Sequence, residues 1–268
     1  MRILSGGRVL ITGTTSGIGR ALLDHYVSRG VHVIAVNRRR VADLEAQYPS
    51  VRFECIDVRS ANDVSALVRS LADSAQLPEI FILNAGVNRI DNDESFQLAA
   101  YREVVETNLY GVLNFIEPLT ALPAQSCERH IVAISSMVNY AGNPFALGYS
   151  SSKRALTACF DVWSAMYAGT DLVFKQVMLG PVPTKMYTMD SKSPAWIARI
   201  RSLVSASCES TACAVAKFAA TRKRRLIYPW SAFLLFRSLS IVQCVLPGLL
   251  RGHKTIAGKV RRESHPHG

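Results

Sequence analysis

Features that mark several protein classes are missing from this 268-residue chain. Its six cysteines include no Cys-x-x-Cys pair and no histidine at metal-ligand spacing, so reduced thiols and no metal site are expected. Internal repeats and low-complexity tracts are also missing, which argues against repeat and disordered proteins. Because 49% of the residues are apolar, the chain can bury one sizeable α/β core.

The sequence also lacks the apolar runs that target a chain to membranes. Its first seven residues contain no stretch of signal-peptide length, so no export signal is expected and a cytoplasmic location is predicted. A membrane span needs about 20 uninterrupted apolar residues. The most apolar segment, residues 230–246, contains Arg237 and lies between Pro229 and Pro247, so a spanning helix is not expected there.

Acidic residues are absent from residues 217–262, which hold 11 of the 31 lysines and arginines. The net charge of +11 is therefore concentrated in the C-terminal fifth of the chain. A nucleic-acid-binding surface would need aromatic residues among these basic ones, and here the aromatics lie in the apolar run. No nucleic-acid partner is expected. Localised basicity beside an apolar stretch instead raises the possibility of contact with anionic lipid.

Short β-branched runs alternate with helical patterns over the first two-thirds of the chain. This alternation predicts a doubly wound, Rossmann-like parallel sheet of about seven strands with helices on both faces. The predicted strands are residues 8–12, 31–36, 51–56, 80–84, 130–135, 172–178 and 225–228, and the predicted helices are 18–29, 60–74, 98–117, 148–167 and 209–221. We assign residues 1–225 to a catalytic domain and residues 226–268 to a C-terminal extension packed on it.

A glycine-rich turn follows the first predicted strand. Gly13 permits the turn, and Gly17 and Gly19 leave room for a pyrophosphate against the free N–H groups of a helix N-terminus. An ordinary turn is the alternative, but the position between strand and helix favours a dinucleotide. The predicted contacts are Thr12, Gly13, Thr15, Ser16, Gly17, Ile18 and Gly19.

The second predicted strand ends without the carboxylate that would hold the ribose 2′-hydroxyl of NAD. Asn37 stands there instead, followed by Arg38, Arg39 and Arg40. A guanidinium binds a 2′-phosphate through charge-assisted hydrogen bonds. The sequence therefore predicts NADP(H), with Arg38 best placed to bind it and Asn37 and Arg39 beside it. A solvated basic turn is the alternative.

A serine at a strand end precedes a Tyr-x-x-x-Lys helix. Tyr149 and Lys153 are four residues apart and so share one helix face. An ammonium beside Tyr149, together with an oxidised nicotinamide, is expected to lower the tyrosine pKa from its usual value near 10. Ser136 can hydrogen-bond a substrate oxygen as charge develops on it. Tyr149 is thus predicted to be the acid/base of the reaction, although an isolated Tyr-x-x-x-Lys would indicate only an amphipathic face.

The order of these motifs resembles the short-chain dehydrogenases/reductases of the compact, single-domain type, over about residues 8–225. The shared motifs are TGxxxGxG, Asp-Val, Asn-Ala-Gly, a helix asparagine, Ser with Tyr-x-x-x-Lys, and Gly-x-Val-x-Thr. They fall here at Thr12 to Gly19, Asp57, Val58, Asn84, Ala85, Gly86, Asn108, Ser136, Tyr149, Lys153, Gly180, Val182 and Thr184. The proline that precedes the last glycine in the family is Leu179 here.

The resemblance implies a role for each matching position. Asp57 and Val58 would contact the adenine, and Asn84, Ala85 and Gly86 would line the adenosine ribose. Asn108 would hold a water that relays protons from Lys153, which would also bind the nicotinamide ribose. The stretch from Gly180, with Val182 and Thr184, would anchor the carboxamide, and Ser136 would polarise the carbonyl. A homodimer or homotetramer is expected.

Two segments bear on the substrate. Residues 185–206, rich in methionine and aromatic side chains, either wall a lipophilic pocket under a lid or simply pack on the body. In the C-terminal helix, one predicted face carries Leu235, Leu239, Val242 and Leu246, and the other carries Arg237, Ser240 and Gln243. This helix is interpreted as a pocket wall or subunit contact, in preference to an interfacial helix on anionic lipid.

The expected function is that of an NADPH-dependent ketoreductase, or NADP-dependent alcohol dehydrogenase, on a small carbonyl or alcohol substrate of lipophilic or acyl type. One alternative is a membrane-associated lipid or steroid-type dehydrogenase that works in the oxidative direction. Another is a non-catalytic NADP(H) sensor, which would normally have lost Tyr149 or Lys153. The sugar epimerase/dehydratase branch is disfavoured because its glycine spacing is GxxGxxG.

Overall fold

The computed structural model describes residues 6–89, 96–141, 146–184, 186 and 203–245, without the side chains of 242–245. The predicted doubly wound sheet is confirmed: seven parallel strands have the order β3-β2-β1-β4-β5-β6-β7. Strand order reverses between β1 and β4, where such sheets bind ligands. The strands are β1 (Arg8–Thr12), β2 (His32–Asn37), β3 (Arg52–Cys55), β4 (Ile80–Leu83), β5 (Arg129–Ser136), β6 (Leu172–Leu179) and β7 (Arg225–Tyr228).

Helices cover both faces of the sheet. They are α1 (Gly17–Val27), α2 (Ala42–Gln47), α3 (Ala61–Asp73), α4 (Leu98–Val105), α5 (Gly111–Ala121), α6 (Leu147–Met166), α7 (Cys208–Ala219) and α8 (Trp230–Val245). The single helix predicted over residues 98–117 was wrong, because a π-helical segment, Glu106–Tyr110, separates α4 from α5. The α2 helix and a 3-10 turn, Met137–Asn139, were not predicted.

The sheet is buried on both faces, as the continuous apolar strands require. On one face the core contains Leu22 of α1 and Val215 of α7. On the other it contains Val64 of α3, Phe115 of α5 and Phe160 of α6. Each such side chain contributes about 1.5–3 kcal/mol when it leaves water. The two layers hold the strand ends rigidly at the edge where the candidate site lies.

The α8 helix packs on the carboxyl edge of the sheet. A side chain at Gly180 would approach Ala232 to 2.6 Å, and the Gly180 N–H donates to the Tyr228 carbonyl at 2.9 Å. The Phe233 and Tyr140 rings meet edge to face, with centroids 5.1 Å apart. The inner face of α8 thus covers the turn that follows Ser136.

The outer face of α8 is more apolar than predicted. Leu235 and Leu239 are half-buried and Arg237 is exposed, in agreement with the predicted faces. However, Trp230 and Ile241 are 58% and 62% exposed. No helix in the described part of the chain is both long and apolar enough to cross a membrane. The lid predicted over residues 185–206 lies mostly outside the described residues, as do the side chains of 242, 243 and 246.

Candidate active site

The glycine-rich turn between β1 and α1 has the backbone that its glycines permit. Gly13 and Gly17 have φ values of +74° and +57°, in the left-handed region. Ser16 is the N-cap of α1, and its side chain makes no capping hydrogen bond. First-turn N–H groups in this position form an anion site. The cradle therefore fits the pyrophosphate of a dinucleotide.

Gly19 has a packing role besides the predicted one. A side chain there would collide with the Gly13 carbonyl oxygen and approach the Asn84 amide to 2.7 Å. Its small size is therefore required for packing of α1 against the turn. That Gly19 also leaves room for the pyrophosphate stays a prediction.

The ends of β1 and β4 are joined by Thr12 and Asn84. The Thr12 hydroxyl accepts hydrogen bonds from the N–H groups of Asn84 and Ala85, both at 2.9 Å. The Asn84 side chain donates to the Thr12 and Gly13 carbonyls at 3.0 and 3.2 Å. A side chain at Gly13 would come within 3.0 Å of the Ala85 backbone. These predicted cofactor residues therefore meet, and their side chains brace the cradle.

Asn37 is buried and already engaged by the cradle. Its Oδ1 accepts from the Thr14 N–H at 2.8 Å, and its Nδ2 donates to the Thr14 hydroxyl at 2.9 Å. Because both ends of its amide bind Thr14, Asn37 fixes the turn, and its contact with the cofactor stays a prediction. Thr14 was missed by sequence reasoning, since nothing in the glycine pattern identifies a partner 23 residues away.

The arginines after β2 are exposed. Arg40 forms an ion pair with Glu45 at 2.6 Å. Arg38 and Arg39 make no ion pair within the described residues, although the charge of Arg38 contributes to lowering the pKa of Asp57 and of Glu103. Arg38 therefore lies beside Asp57 with its guanidinium available to an anion.

Asp57 is held by an arginine that sequence reasoning did not single out. Its carboxylate accepts from Arg59 Nε at 3.0 Å and from Arg59 Nη2 at 2.6 Å. This hydrogen-bonded guanidinium lowers the pKa of Asp57. Val58 is buried, and its side chain would contact any Cβ at Gly111. The predicted adenine contacts are thus a neutralised carboxylate and a packed valine.

Ser136 and Tyr149 are brought together as predicted. Ser136 ends β5, and Tyr149 lies in the first turn of α6, where it is half-buried. Their hydroxyl groups are hydrogen-bonded, which favours the phenolate. Burial acts in the opposite direction and dominates, so the pKa of Tyr149 is raised. At neutral pH Tyr149 is therefore a protonated phenol.

Lys153 is buried and lies close to the ring of Tyr149. Its Nζ donates to the Ile134 carbonyl at 2.8 Å and lies 5.8 Å from the centre of the Tyr149 ring. Burial lowers the pKa of Lys153 to about 8. Burial dominates the pKa of Tyr149 in this structure, and the lowering expected from the ammonium together with an oxidised nicotinamide stays a prediction.

Asn108 lies in the π-helical segment, a geometry that is frequent at functional sites. Its Oδ1 accepts from the Val87 N–H at 2.8 Å, and its Nδ2 donates to the Val87 carbonyl at 2.9 Å and to Ser152 Oγ at 3.2 Å. A side chain at Gly86 would reach its Oδ1 at 3.1 Å. Asn108 thus clamps the loop after β4 to α6, next to Lys153.

The loop after β6 closes over the cradle. The Thr184 methyl group would lie 3.0 Å from a side chain at Gly17, and Val182 is buried. Residues from the ends of β1, β4, β5 and β6 therefore line one edge. Together they offer an anion cradle, a buried ammonium and a serine–tyrosine pair, which is the equipment for hydride and proton exchange at a carbonyl carbon.

Comparison with known proteins agrees with this geometry. The family model described as short chain dehydrogenase matches residues 8–194. A Xenopus laevis protein, dehydrogenase/reductase SDR family member 7B, is 27% identical over 68% of this chain, and the match spans only 60% of that relative. The 3-oxoacyl-acyl-carrier-protein reductase of Thermotoga maritima is 25% identical over 68% of this chain and 77% of its own length.

Solved structures share the fold. A short-chain dehydrogenase/reductase from Burkholderia phymatum, in complex with NAD, has a TM-score of 0.73 and 20% identity, covering 88% of this chain and 94% of that one. A short-chain dehydrogenase from Burkholderia cenocepacia, in complex with NADP, has a TM-score of 0.70 and 22% identity, covering 91% and 95%. The chain belongs to the short-chain dehydrogenase/reductase family.

Proposed function

We propose that this oxidoreductase is an NADPH-dependent ketoreductase, reversible as an NADP-dependent alcohol dehydrogenase, on a ketone of lipophilic or acyl type. The observation that carries the proposal is the hydrogen-bonded Ser136–Tyr149 pair above buried Lys153, beside the glycine cradle. A sensor that only binds nucleotide has no use for this arrangement. The pair supplies the proton and the polar contacts that carbonyl reduction needs.

The chemistry of each residue follows from its protonation state. A bound reduced nicotinamide supplies the hydride. Tyr149 then donates its phenolic proton to the substrate oxygen, and Ser136 donates a hydrogen bond to the same oxygen as negative charge develops there. Because the pKa of Tyr149 is raised, its proton is in place at neutral pH. This favours the reductive direction over oxidation, which needs the phenolate first.

Lys153 and Asn108 support Tyr149. Lys153 Nζ uses one hydrogen bond on Ile134 within the described residues, so its other N–H groups can hold the nicotinamide ribose. Protonated Lys153 also favours the tyrosinate that remains after proton transfer. Asn108 holds the loop after β4 and Ser152 together, and we assign to it the water that returns a proton by way of Lys153.

The preference for NADP(H) rests on charge at the end of β2. No carboxylate is placed there for a free ribose hydroxyl, Asn37 is occupied by Thr14, and Arg38 and Arg39 have no ion pair within the described residues. The Asp57 carboxylate, which would repel a 2′-phosphate, is neutralised by Arg59. The similar structures include one with NAD and one with NADP, so the proposed preference for NADP(H) rests on the residues at the end of β2.

Replacing Arg38 with Asp should invert the cofactor preference. The new carboxylate would repel a 2′-phosphate and accept from a free ribose hydroxyl. The measurement is kcat/KM for NADPH and NADH in both proteins, with Arg40→Gln as a control because Arg40 is paired with Glu45. If the ratio of kcat/KM for NADPH to kcat/KM for NADH were the same in wild type and Arg38→Asp, binding of the 2′-phosphate would be assigned to Arg39.

An aromatic wall supports a lipophilic or acyl substrate. The rings of Tyr140, Phe233 and Trp230 contact one another just after the catalytic turn. Apolar walls with few polar groups suit acyl or steroid-like ketones. The Thermotoga relative is named for a 3-oxoacyl substrate, which adds support. Assays of NADPH oxidation with acyl, steroid, quinone and sugar ketones test this class.

Replacing Tyr149 with Phe tests the chemistry itself. It should remove at least 99% of turnover and leave NADPH affinity within about twofold, because only the proton donor is lost. Retained turnover with any ketone of the panel would contradict the role of Tyr149. Loss of both turnover and NADPH binding would indicate that the variant is misfolded, which circular dichroism detects.

Three further features belong to the proposal. We place the protein in the cytoplasm as a homodimer or homotetramer. The exposed apolar residues of α8 (Trp230, Leu234 and Ile241) favour a peripheral contact with anionic membranes as a second candidate, with a lipid-type substrate. The packing of α8 on the turn after Ser136 instead favours a role for α8 as a wall of the substrate pocket. Co-sedimentation with phosphatidylserine vesicles at low salt separates the two.

A further inference from the structure

A small polar network behind Ser136 joins the end of β5 to α6. Asn139, three residues after Ser136, donates from Nδ2 to Thr157 Oγ1 at 2.6 Å and to Ser135 Oγ at 3.1 Å. The two hydroxyl oxygens are 2.9 Å apart. Ser135 Oγ also lies 3.4 Å from the Lys153 carbonyl oxygen. The network thus touches the residue before Ser136, the turn after it, and the helix of Tyr149.

Each hydrogen of this network has an acceptor. The two amide hydrogens of Asn139 serve the hydroxyl oxygens of Ser135 and Thr157. The Thr157 hydroxyl can then donate to Ser135, and the Ser135 hydroxyl to the Lys153 carbonyl. Asn139 Nδ2 also lies 3.4 Å from Met178 Sδ, and the buried Asn139 Oδ1 has no partner among the described residues, so the hydrogen bonds that Nδ2 donates are what hold the network together. Asn139 is its origin, because it alone supplies two donors.

We propose that Asn139 is a positioning residue that sets the hydrogen bond between Ser136 and Tyr149. It fixes the turn after Ser136 and, through Ser135, the residue before it, while Thr157 anchors both to the helix that carries Tyr149. The proposal rests on the proposed function of that pair. A displacement of about 1 Å at a reacting group can cost about 100-fold in rate.

Gln176 provides a matched control on the same helix. Its side chain also ties the sheet to α6, donating to the Thr157 carbonyl at 3.2 Å and to Asp161 at 2.7 Å. However, it extends from β6 and contacts Thr157 at the backbone carbonyl, not at the hydroxyl group that accepts from Asn139, and it makes no hydrogen bond to Ser135, Ser136 or Asn139 among the described residues. Gln176→Met therefore removes a comparable structural amide without loosening the end of β5.

The first test compares Asn139→Ala with Gln176→Met in NADPH oxidation with the best ketone of the panel. Both variants should lower the melting temperature. Asn139→Ala should lower kcat at least 10-fold with NADPH affinity within twofold, whereas Gln176→Met should retain kcat within twofold. Should Asn139→Ala fail to fold, Thr157→Val removes one partner of the network and should lower kcat in the same direction.

The second test needs no substrate. The Ser136 hydrogen bond lowers the pKa of Tyr149, so loosening it should raise that pKa further. NMR titration of ring-labelled tyrosine, assigned with Tyr149→Phe, should show a higher midpoint in Asn139→Ala than in Gln176→Met. Equal kcat and equal midpoints in these two variants would overturn the proposal. Failure of the proposed function is distinct, since wild-type protein would then turn over none of the ketones.

Discussion

Two lysines of the described part of the chain are buried, one at each end of the central strands, and they are bound in different ways. Lys153 lies at the carboxyl edge and donates to one carbonyl, that of Ile134. Lys175 of β6 lies towards the amino edge and donates to the carbonyls of Phe218, Ala219 and Thr221 at 2.9, 2.9 and 2.5 Å. Burial lowers the pKa of each lysine to about 8.

On the proposed function, this difference separates a lysine that acts in the site from one that acts only in the fold. Lys175 caps the carboxyl end of α7, where orphan carbonyls and the negative end of the helix dipole favour a cation. Lys153 has donors left over for a ligand. Equal burial and equal pKa therefore do not imply equal roles, and the number of satisfied donors distinguishes them.

The largest expected effect is at Lys153. Lys153→Met should lower kcat/KM for NADPH-dependent turnover by about 1,000-fold, because the cation and its free donors are lost at the reacting centre. Its stability should change little, since removing a sparsely bonded buried charge also removes its desolvation cost. Steady-state kinetics and a melting curve measure the two effects. A large drop in melting temperature with retained kcat would contradict the prediction, because it would give Lys153 the structural role that is assigned to Lys175.

Lys175→Met should produce the opposite pattern. It leaves the Ala219 and Thr221 carbonyls without this donor, whereas the Phe218 carbonyl keeps the N–H and hydroxyl groups of Thr221. The loss should cost about 2 kcal/mol in the free energy of unfolding at pH 7. Turnover well below the melting temperature should stay within about threefold of wild type. Urea unfolding gives the first quantity. A variant as stable as wild type would show that the carbonyls find other partners.

Lys175 should also make the free energy of unfolding depend on pH, and the change per pH unit should be smaller than the effect of its substitution. In the folded chain the pKa of Lys175 is about 8, below its ordinary value of 10.5. Between these values the unfolded chain binds more protons, so the contribution of Lys175 to stability rises with pH. The stability difference between wild type and Lys175→Met should grow by about 1 kcal/mol per pH unit above pH 8. A difference that shrinks would contradict the lowered pKa.

The same contrast shows what could be predicted from the sequence. The strands were predicted to within one residue at either end, because β-branched runs bounded by turns mark buried strands. Ser136, Tyr149 and Lys153 could be singled out because their chemistry and spacing are local, and their catalytic roles stay predictions. Lys175 was not identified, since its hydrogen-bond partners at the end of α7 are far away in sequence and are brought beside it only by the fold.

Other features escaped prediction for related physical reasons. The π-helical segment interrupts a helix whose apolar pattern continues through it, so periodicity alone does not reveal it. The pairing of Asn37 with Thr14 joins two turns far apart in sequence. The direction of the Tyr149 pKa depends on burial, which the Tyr-x-x-x-Lys spacing does not contain. Each of these depends on tertiary packing.

The seating of α8 on Gly180 has a consequence for the order in which the protein is made. Ala232 and Phe233 cover Gly180 and Tyr140, which flank the reacting centre. During synthesis the cradle, Ser136 and Tyr149 leave the ribosome long before the segment that covers them. The nascent chain therefore carries these groups before α8, which packs on the turn after Ser136, has been translated.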